Sequence, residues 1–184
     1  SLSQSWEEIS KKRLANELDF ALTTEGIHKE NSPGYHTWVS VLCAKINDFS
    51  QYYTGAPITK TDNKALQEGG LKFLTTISRP DGTLPLIGDT TPNYDVNVTY
   101  PLQEKLSWYP YYQYIRSNGQ TGKKPQETTT IFRGSGYFIY RDKWDNPGEN
   151  TAMHLILKCG FLAKAHRHND DGNILLYGLG EDWL

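Results

Sequence analysis

Ser117-Asn-Gly-Gln-Thr-Gly-Lys-Lys-Pro125-Gln-Glu-Thr128 separates two parts of the chain with different hydrophobic periodicity. Its glycine, lysine, glutamine, proline and threonine form a linker with no apolar anchor for a helix or a strand. Before it, apolar residues recur at intervals of three and four; after it they come in short alternating or continuous runs. The expected fold is therefore helices first and antiparallel strands second, with a helical part at 1–127 and a sheet part at 128–184.

Working back from the linker, Leu102 to Ile115 reads as a short aromatic helix in which Pro110 forces a kink or a fresh start. Residues 79–101 contain Pro80, Gly82, Pro85, Gly88, Pro92 and Pro101, too many breakers for regular structure, and predict a long ordered loop. A helix is expected from about Asp62 to Ser78, carrying Leu66, Phe73, Leu74 and Ile77. Another is expected from about Tyr35 to Tyr53, with Val39, Leu42, Cys43, Ile46, Phe49 and Tyr53 on its core face and Trp38 packed beside them. The first helix, Ser5 to about Thr23, shows Trp6, Ile9, Leu14, Leu18 and Leu22 at helical spacing behind a Ser5-x-x-Glu8 capping box. Residues 24–34 form a breaker-rich loop that delivers polar groups to the start of the second helix.

Forward of the linker, strands are expected at 129–131, 137–140, 153–158 and 173–178, punctuated by Gly134-Ser-Gly136 and Asp145-Asn-Pro-Gly148. Ahead of the last strand lies His166-Arg-His168-Asn-Asp170-Asp171, the densest run of reactive groups in the chain. On a strand, side chains two apart share a face, so both imidazoles would project together. They would suit joint metal binding or a division between proton transfer and coordination, and the aspartates could support imidazole ligands. Taken alone, such a pair is equally an ordinary polar patch. A second polar cluster, Glu30-Asn31-Ser-Pro-Gly-Tyr35-His36, opens the second helix, where the helix N-terminus favours developing negative charge and so a phenol that gives up its proton.

Composition narrows the function classes. With 19 basic and 21 acidic residues the net charge is −2, which gives no electrostatic footprint for nucleic acid or an anionic membrane. No apolar run is long enough for a membrane span. Cys43 and Cys159 sit in apolar segments and read as buried free thiols. Five tryptophans and twelve tyrosines suit core packing and contact with sugar rings alike. The chain starts without Met and ends at Trp183-Leu184 within a strand-like run, which suggests a piece of a longer protein.

Three motifs in order, Glu30-Asn-Ser-Pro-Gly-Tyr35-His36, Pro80-Asp-Gly-Thr-Leu-Pro-Leu-Ile-Gly88-Asp89, and His166-x-His168-x-Asp170 leading to Trp183-Leu184, resemble the heparinase II/III-like polysaccharide lyases. The resemblance covers nearly the whole chain. It implies an α+β multidomain fold, with the end of an incomplete (α/α) toroid at 1–127 and the start of an antiparallel β-sandwich at 128–184. It implies β-elimination on a uronic-acid-containing glycan such as a glycosaminoglycan, and a periplasmic or secreted protein. Tyr35 matches the family's general acid and often base, His166 the base at C5 of the uronate, and His168 a ligand of a structural zinc. Glu30, Asn31, His36 and Arg167 are expected to contact substrate, while Asp89 reads as a structural turn residue.

Two departures accompany the match. The family's carboxylate-neutralising residue lies upstream of the tyrosine motif and has no counterpart here, and its remaining zinc ligands would fall beyond Leu184, so a zinc site would be incomplete. Two other readings compete: a glycoside hydrolase using Glu30 with Asp170 or Asp89 as its carboxylate pair, and a non-catalytic carbohydrate-binding protein.

Overall fold

The computed structural model describes residues 2–58, 63–92, 103–160 and 168–184. Helix α1 spans Leu2–Ala21, α2 Pro33–Thr54, α3 Asn63–Ile77 and α4 Tyr109–Arg116, with a 3₁₀ turn at Gln103–Lys105. The strands are β1 Thr129–Phe132, β2 Tyr137–Arg141, β3 His154–Lys158, β4 Asn173–Gly178 and β5 Glu181–Asp182. They form one antiparallel sheet in the order β1-β2-β3-β4-β5. The short β5 is missed by hydrophobic pattern because both of its residues are acidic and exposed.

Helix boundaries follow from local chemistry. Helix α1 begins ahead of Ser5, so the Ser5-x-x-Glu8 pair lies inside the helix and caps nothing. Helix α2 has Ser32 as N-cap in an extended conformation, Pro33 in its first turn, and Gly55 at φ 73 as its left-handed stop. Pro110 starts α4 rather than kinking a longer helix, and Glu68 takes up the orphan donors there: its carboxylate accepts from Ser107 N–H at 2.6 Å and Trp108 N–H at 3.2 Å.

The helices and the sheet share one core. Phe73, Leu74 and Ile77 of α3 lie against Phe132, Tyr137, Ile139 and Ile156, with Phe73 edge-on to Phe132 at 5.6 Å between ring centroids. Strand register sets three inward-facing cross-strand pairs between β2 and β3: Tyr137 with Lys158, Ile139 with Ile156, and Arg141 with His154. The central pair is apolar and the outer pairs are polar. At one end, Arg141 Nη2 donates to the carbonyls of Ser78 and Thr76, and His154 Nε2 lies 3.1 Å from the Thr76 carbonyl, so these two side chains meet carbonyls at and just beyond the end of α3. At the other end lies Lys158, whose ammonium donates to the Gly160 carbonyl.

A second cluster of Leu18, Leu22, Cys43 and Leu66 joins α1, α2 and α3. The expected core face of α2 is only half right: Cys43 is buried, while Trp38, Leu42, Phe49 and Tyr53 are exposed. The face that packs toward α3 instead carries small and polar residues, His36, Ser40, Ala44 and Asn47. Cys159 likewise departs from expectation, being a free thiol at the surface. Among the described residues, no helix is long and apolar enough to cross a membrane.

Candidate active site

The first turn of α2 presents Tyr35. The Ser32 hydroxyl accepts the Tyr35 backbone N–H at 3.3 Å, and the Thr37 hydroxyl donates to the Gly34 carbonyl at 2.7 Å, fixing the turn from both sides. Tyr35 is half-buried. Just ahead of the cap, Asn31 takes φ 61 and is 5% exposed, and neither its Oδ1 nor its Nδ2 finds a hydrogen-bond partner. Such an unmet buried amide costs about 1–3 kcal/mol. Glu30 is half-buried with its Oε2 4.0 Å from His28 Nε2.

His36 corrects the expectation of a substrate contact. Its ring is 1% exposed, Nδ1 accepts the His28 backbone N–H at 3.2 Å, and Nε2 lies 3.3 Å from the Gly70 carbonyl. An accepting Nδ1 carries no proton, so Nε2–H is the donor to Gly70 and the ring is neutral. Burial pushes its pKa down to about 3 against the pull of the Gly70 carbonyl, with His28 adding to the depression. His36 therefore braces the 24–32 loop against α3, edge-on to Phe73 at 4.9 Å. That loop lies so close to α3 that a Cβ on Gly69 would sit 2.0 Å from the Glu25 carbonyl oxygen.

The other side of the site is the loop entering β4. His168 lies in this loop rather than on a strand, so the shared-face argument for the two histidines does not apply to it. Its Nε2 is 2.6 Å from Asp89 Oδ1. The Gly88 N–H donates to Asp170 Oδ2 at 2.7 Å. One residue further on, Thr90 Oγ1 accepts the Gly34 N–H at 3.0 Å and lies 3.0 Å from the Ser32 hydroxyl. Gly88, Asp89 and Thr90 thus touch both the Tyr35 turn and the His168–Asp170 turn. All three sequence motifs meet there.

Beside the His168–Asp170 turn, at the inner end of β3, Lys158 is 1% exposed. Its Nζ donates to the Gly160 carbonyl at 2.7 Å and stands 4.8 Å over the Tyr137 ring, while its own carbonyl accepts Gly172 N–H at 2.7 Å. One lysine therefore binds both ends of the loop. Burial, and then the nearby Asp170 and Asp171, hold the Tyr137 phenol protonated far above its ordinary range. Thr90 and Lys158 escape sequence reasoning. The one signal for Lys158 is its place two residues beyond Ile156 on the inward face of an alternating strand.

His166 and Arg167 lie outside the described residues. For the implied zinc, the described residues include no group of three or more His, Cys, Asp or Glu that could hold a metal. His168 and Asp89 supply two donors where a structural zinc takes four, so these residues do not by themselves fit a zinc site.

A family model described as Heparinase II/III N-terminus matches residues 1–116. Among curated proteins, a heparin-sulfate lyase from Bacteroides stercoris is 22% identical across 97% of this chain. Among solved structures, a heparinase III gene product superposes with a TM-score of 0.70 at 19% identity over 97% of this chain. The heparan sulfate lyase HepC from Pedobacter heparinus gives 0.65 at 21% identity over 98%. The chain spans 27% of the length of the curated relative and 28% of each of these two structures. The helices-then-sheet architecture is that of the heparinase III fold.

Proposed function

Since this chain belongs to the heparinase II/III family, we propose that the intact protein is a polysaccharide lyase that cleaves a uronate-containing glycan of the heparin or heparan sulfate type by β-elimination. The carrying observation is the meeting of the Tyr35 turn and the His168–Asp170 turn on Gly88, Asp89 and Thr90, which brings the motif of the proposed acid and that of the proposed base to one place. In this reading residues 1–127 belong to a toroid and 128–184 to a β-sandwich. The exposed apolar side chains of α1 and α2 support it, being a surface that neighbouring toroid helices would cover.

Elimination needs three things: neutralisation of the uronate carboxylate, a base at C5 and an acid at O4. His166 takes the C5 proton, the electron pair of that bond forms the C4–C5 double bond, and the C4–O4 bond breaks. Tyr35 gives its proton to the departing O4. No water enters the products. Asn31, with unmet donor and acceptor atoms ahead of Tyr35, is assigned with Glu30 and Arg167 to holding the sugar; the carboxylate-neutralising group is assigned to a part of the protein preceding this chain. Zinc enters no step. A site including His168 would draw its remaining ligands from residues beyond Leu184. Asp89 and Asp170 are engaged by His168 and Gly88, which argues against either serving with Glu30 as a hydrolytic carboxylate pair. A periplasmic or secreted setting is part of the same proposal and rests on the family resemblance alone.

The test is product chemistry. The intact protein, offered heparan sulfate, hyaluronan, alginate and capsular polysaccharides, should release ultraviolet-absorbing unsaturated uronates from at least one. Their mass should lack the added water of hydrolysis. Saturated products heavier by one water would establish a hydrolase instead.

A further inference from the structure

We propose that Gly88-Asp89-Thr90 is a positioning element that sets the placement of the Tyr35 turn relative to the His168–Asp170 turn, with Thr90 its contact on the helical side and Asp170 its anchor on the sheet side. Its activity readout rests on the lyase reading; its structural readout does not. On the helical side, the Thr90 hydroxyl accepts Gly34 N–H at 3.0 Å and meets the Ser32 hydroxyl at 3.0 Å, and the Ser32 oxygen in turn accepts the Tyr35 N–H. Two hydrogen bonds therefore connect Thr90 to the backbone of Tyr35. On the sheet side, Gly88 N–H binds Asp170 and Asp89 binds His168.

The segment between these contacts is short and stiff. Ile87 is fully buried in the core, its N–H bonds to the Pro85 carbonyl, and Thr90 N–H bonds back to the Ile87 carbonyl at 3.2 Å. Gly88 takes φ 55, a left-handed conformation that favours glycine. Thr90 is 6% exposed, so its hydroxyl is committed to these partners rather than to solvent. From Gly88 to Thr90 the chain reaches at most about 7 Å, so a shift on one side is carried to the other. A proton-transfer pair acts only at hydrogen-bond range from the reacting atoms. A misplacement of about 1 Å can cost on the order of a hundredfold in rate.

Thr90→Val keeps shape and removes both hydroxyl contacts. In the intact protein it should lower kcat by about 10- to 100-fold with KM within about twofold, and Thr90→Ser should restore kcat to within about threefold. Asp170→Ala should act similarly, and the double variant should be no more than about threefold slower than the slower single one, because breaking either side already frees the same segment. Independently of turnover, hydrogen exchange at the first turn of α2 should quicken in Asp170→Ala, although Asp170 bonds to Gly88 rather than to α2. Thr90→Val turning over like the wild type while Tyr35→Phe is inactive would overturn the proposal, as would multiplying single effects. If the protein proves not to be a lyase, exchange alone decides: unchanged protection of the α2 turn in Asp170→Ala refutes the coupling.

Discussion

Replacing His36 by glutamine should remove a defined part of the acid sensitivity of this region. In the folded chain the imidazole is neutral, with a pKa pushed down to about 3 by burial, whereas in the unfolded chain it titrates near 6.5. Between these values the unfolded state binds more protons, so the stabilisation is complete above about pH 6.5 and is lost as pH falls toward 3. One pH unit corresponds to about 1.4 kcal/mol, so moving from pH 7.5 to pH 5.0 costs about 2 kcal/mol through His36 alone. A glutamine amide can accept from His28 N–H and donate to the Gly70 carbonyl without titrating. Its lost edge contact with Phe73 lowers stability equally at both pH values and cancels in the comparison. His154, also held neutral by burial, contributes in the same direction in both proteins. Urea titrations of the intact protein at the two pH values, read by hydrogen exchange in peptides from α2 and α3, measure the difference. A His36→Gln protein losing as much stability as the wild type on acidification would refute the neutral, buried assignment.

Arg141→Leu should destabilise the same region by about 2 kcal/mol or more, because the Ser78 carbonyl loses its donor while the Thr76 carbonyl keeps only His154; an unchanged melting temperature would count against that. Gly136→Ala should be worse, since φ is 71 there and the added Cβ would fall 1.9 Å from the Cys159 carbonyl oxygen; a strong fall in soluble yield or melting temperature is the readout. A thiol reagent should modify exposed Cys159 in the native protein but Cys43 only after denaturation, as burial raises the Cys43 pKa to about 11, and peptide mass mapping distinguishes the two.

Long elements were legible because periodicity reports them directly: α2 and α3 fall within two residues of expectation, and four strands appear where alternation places them. Which face of α2 is buried was not legible, since its apolar stripe is wider than the surface that α3 and α1 cover, and the small and polar residues are the ones in contact. His36 beside Tyr35 reads as a site residue, yet its role is set by the Gly70 carbonyl, 34 residues away. Asp89 reads as a turn residue and occupies a turn, but its contact with His168 spans 79 residues, beyond any local pattern. Lys158 illustrates the opposite failure: alternation does place it inward, but a lysine is rarely buried without a partner, and the turn that aims the Gly160 carbonyl back at its ammonium leaves no mark in the hydrophobic pattern.

In the proposed elimination, Tyr35 supplies the proton to the departing oxygen. Turnover of a uronate glycan by the intact protein and by Tyr35→Phe, followed by ultraviolet absorbance of the unsaturated product, tests it most directly. The phenylalanine keeps the ring and its packing while removing the transferable proton, so absorbance should rise with the wild type and stay at background with the variant. Equal rates of product formation by both would contradict the account.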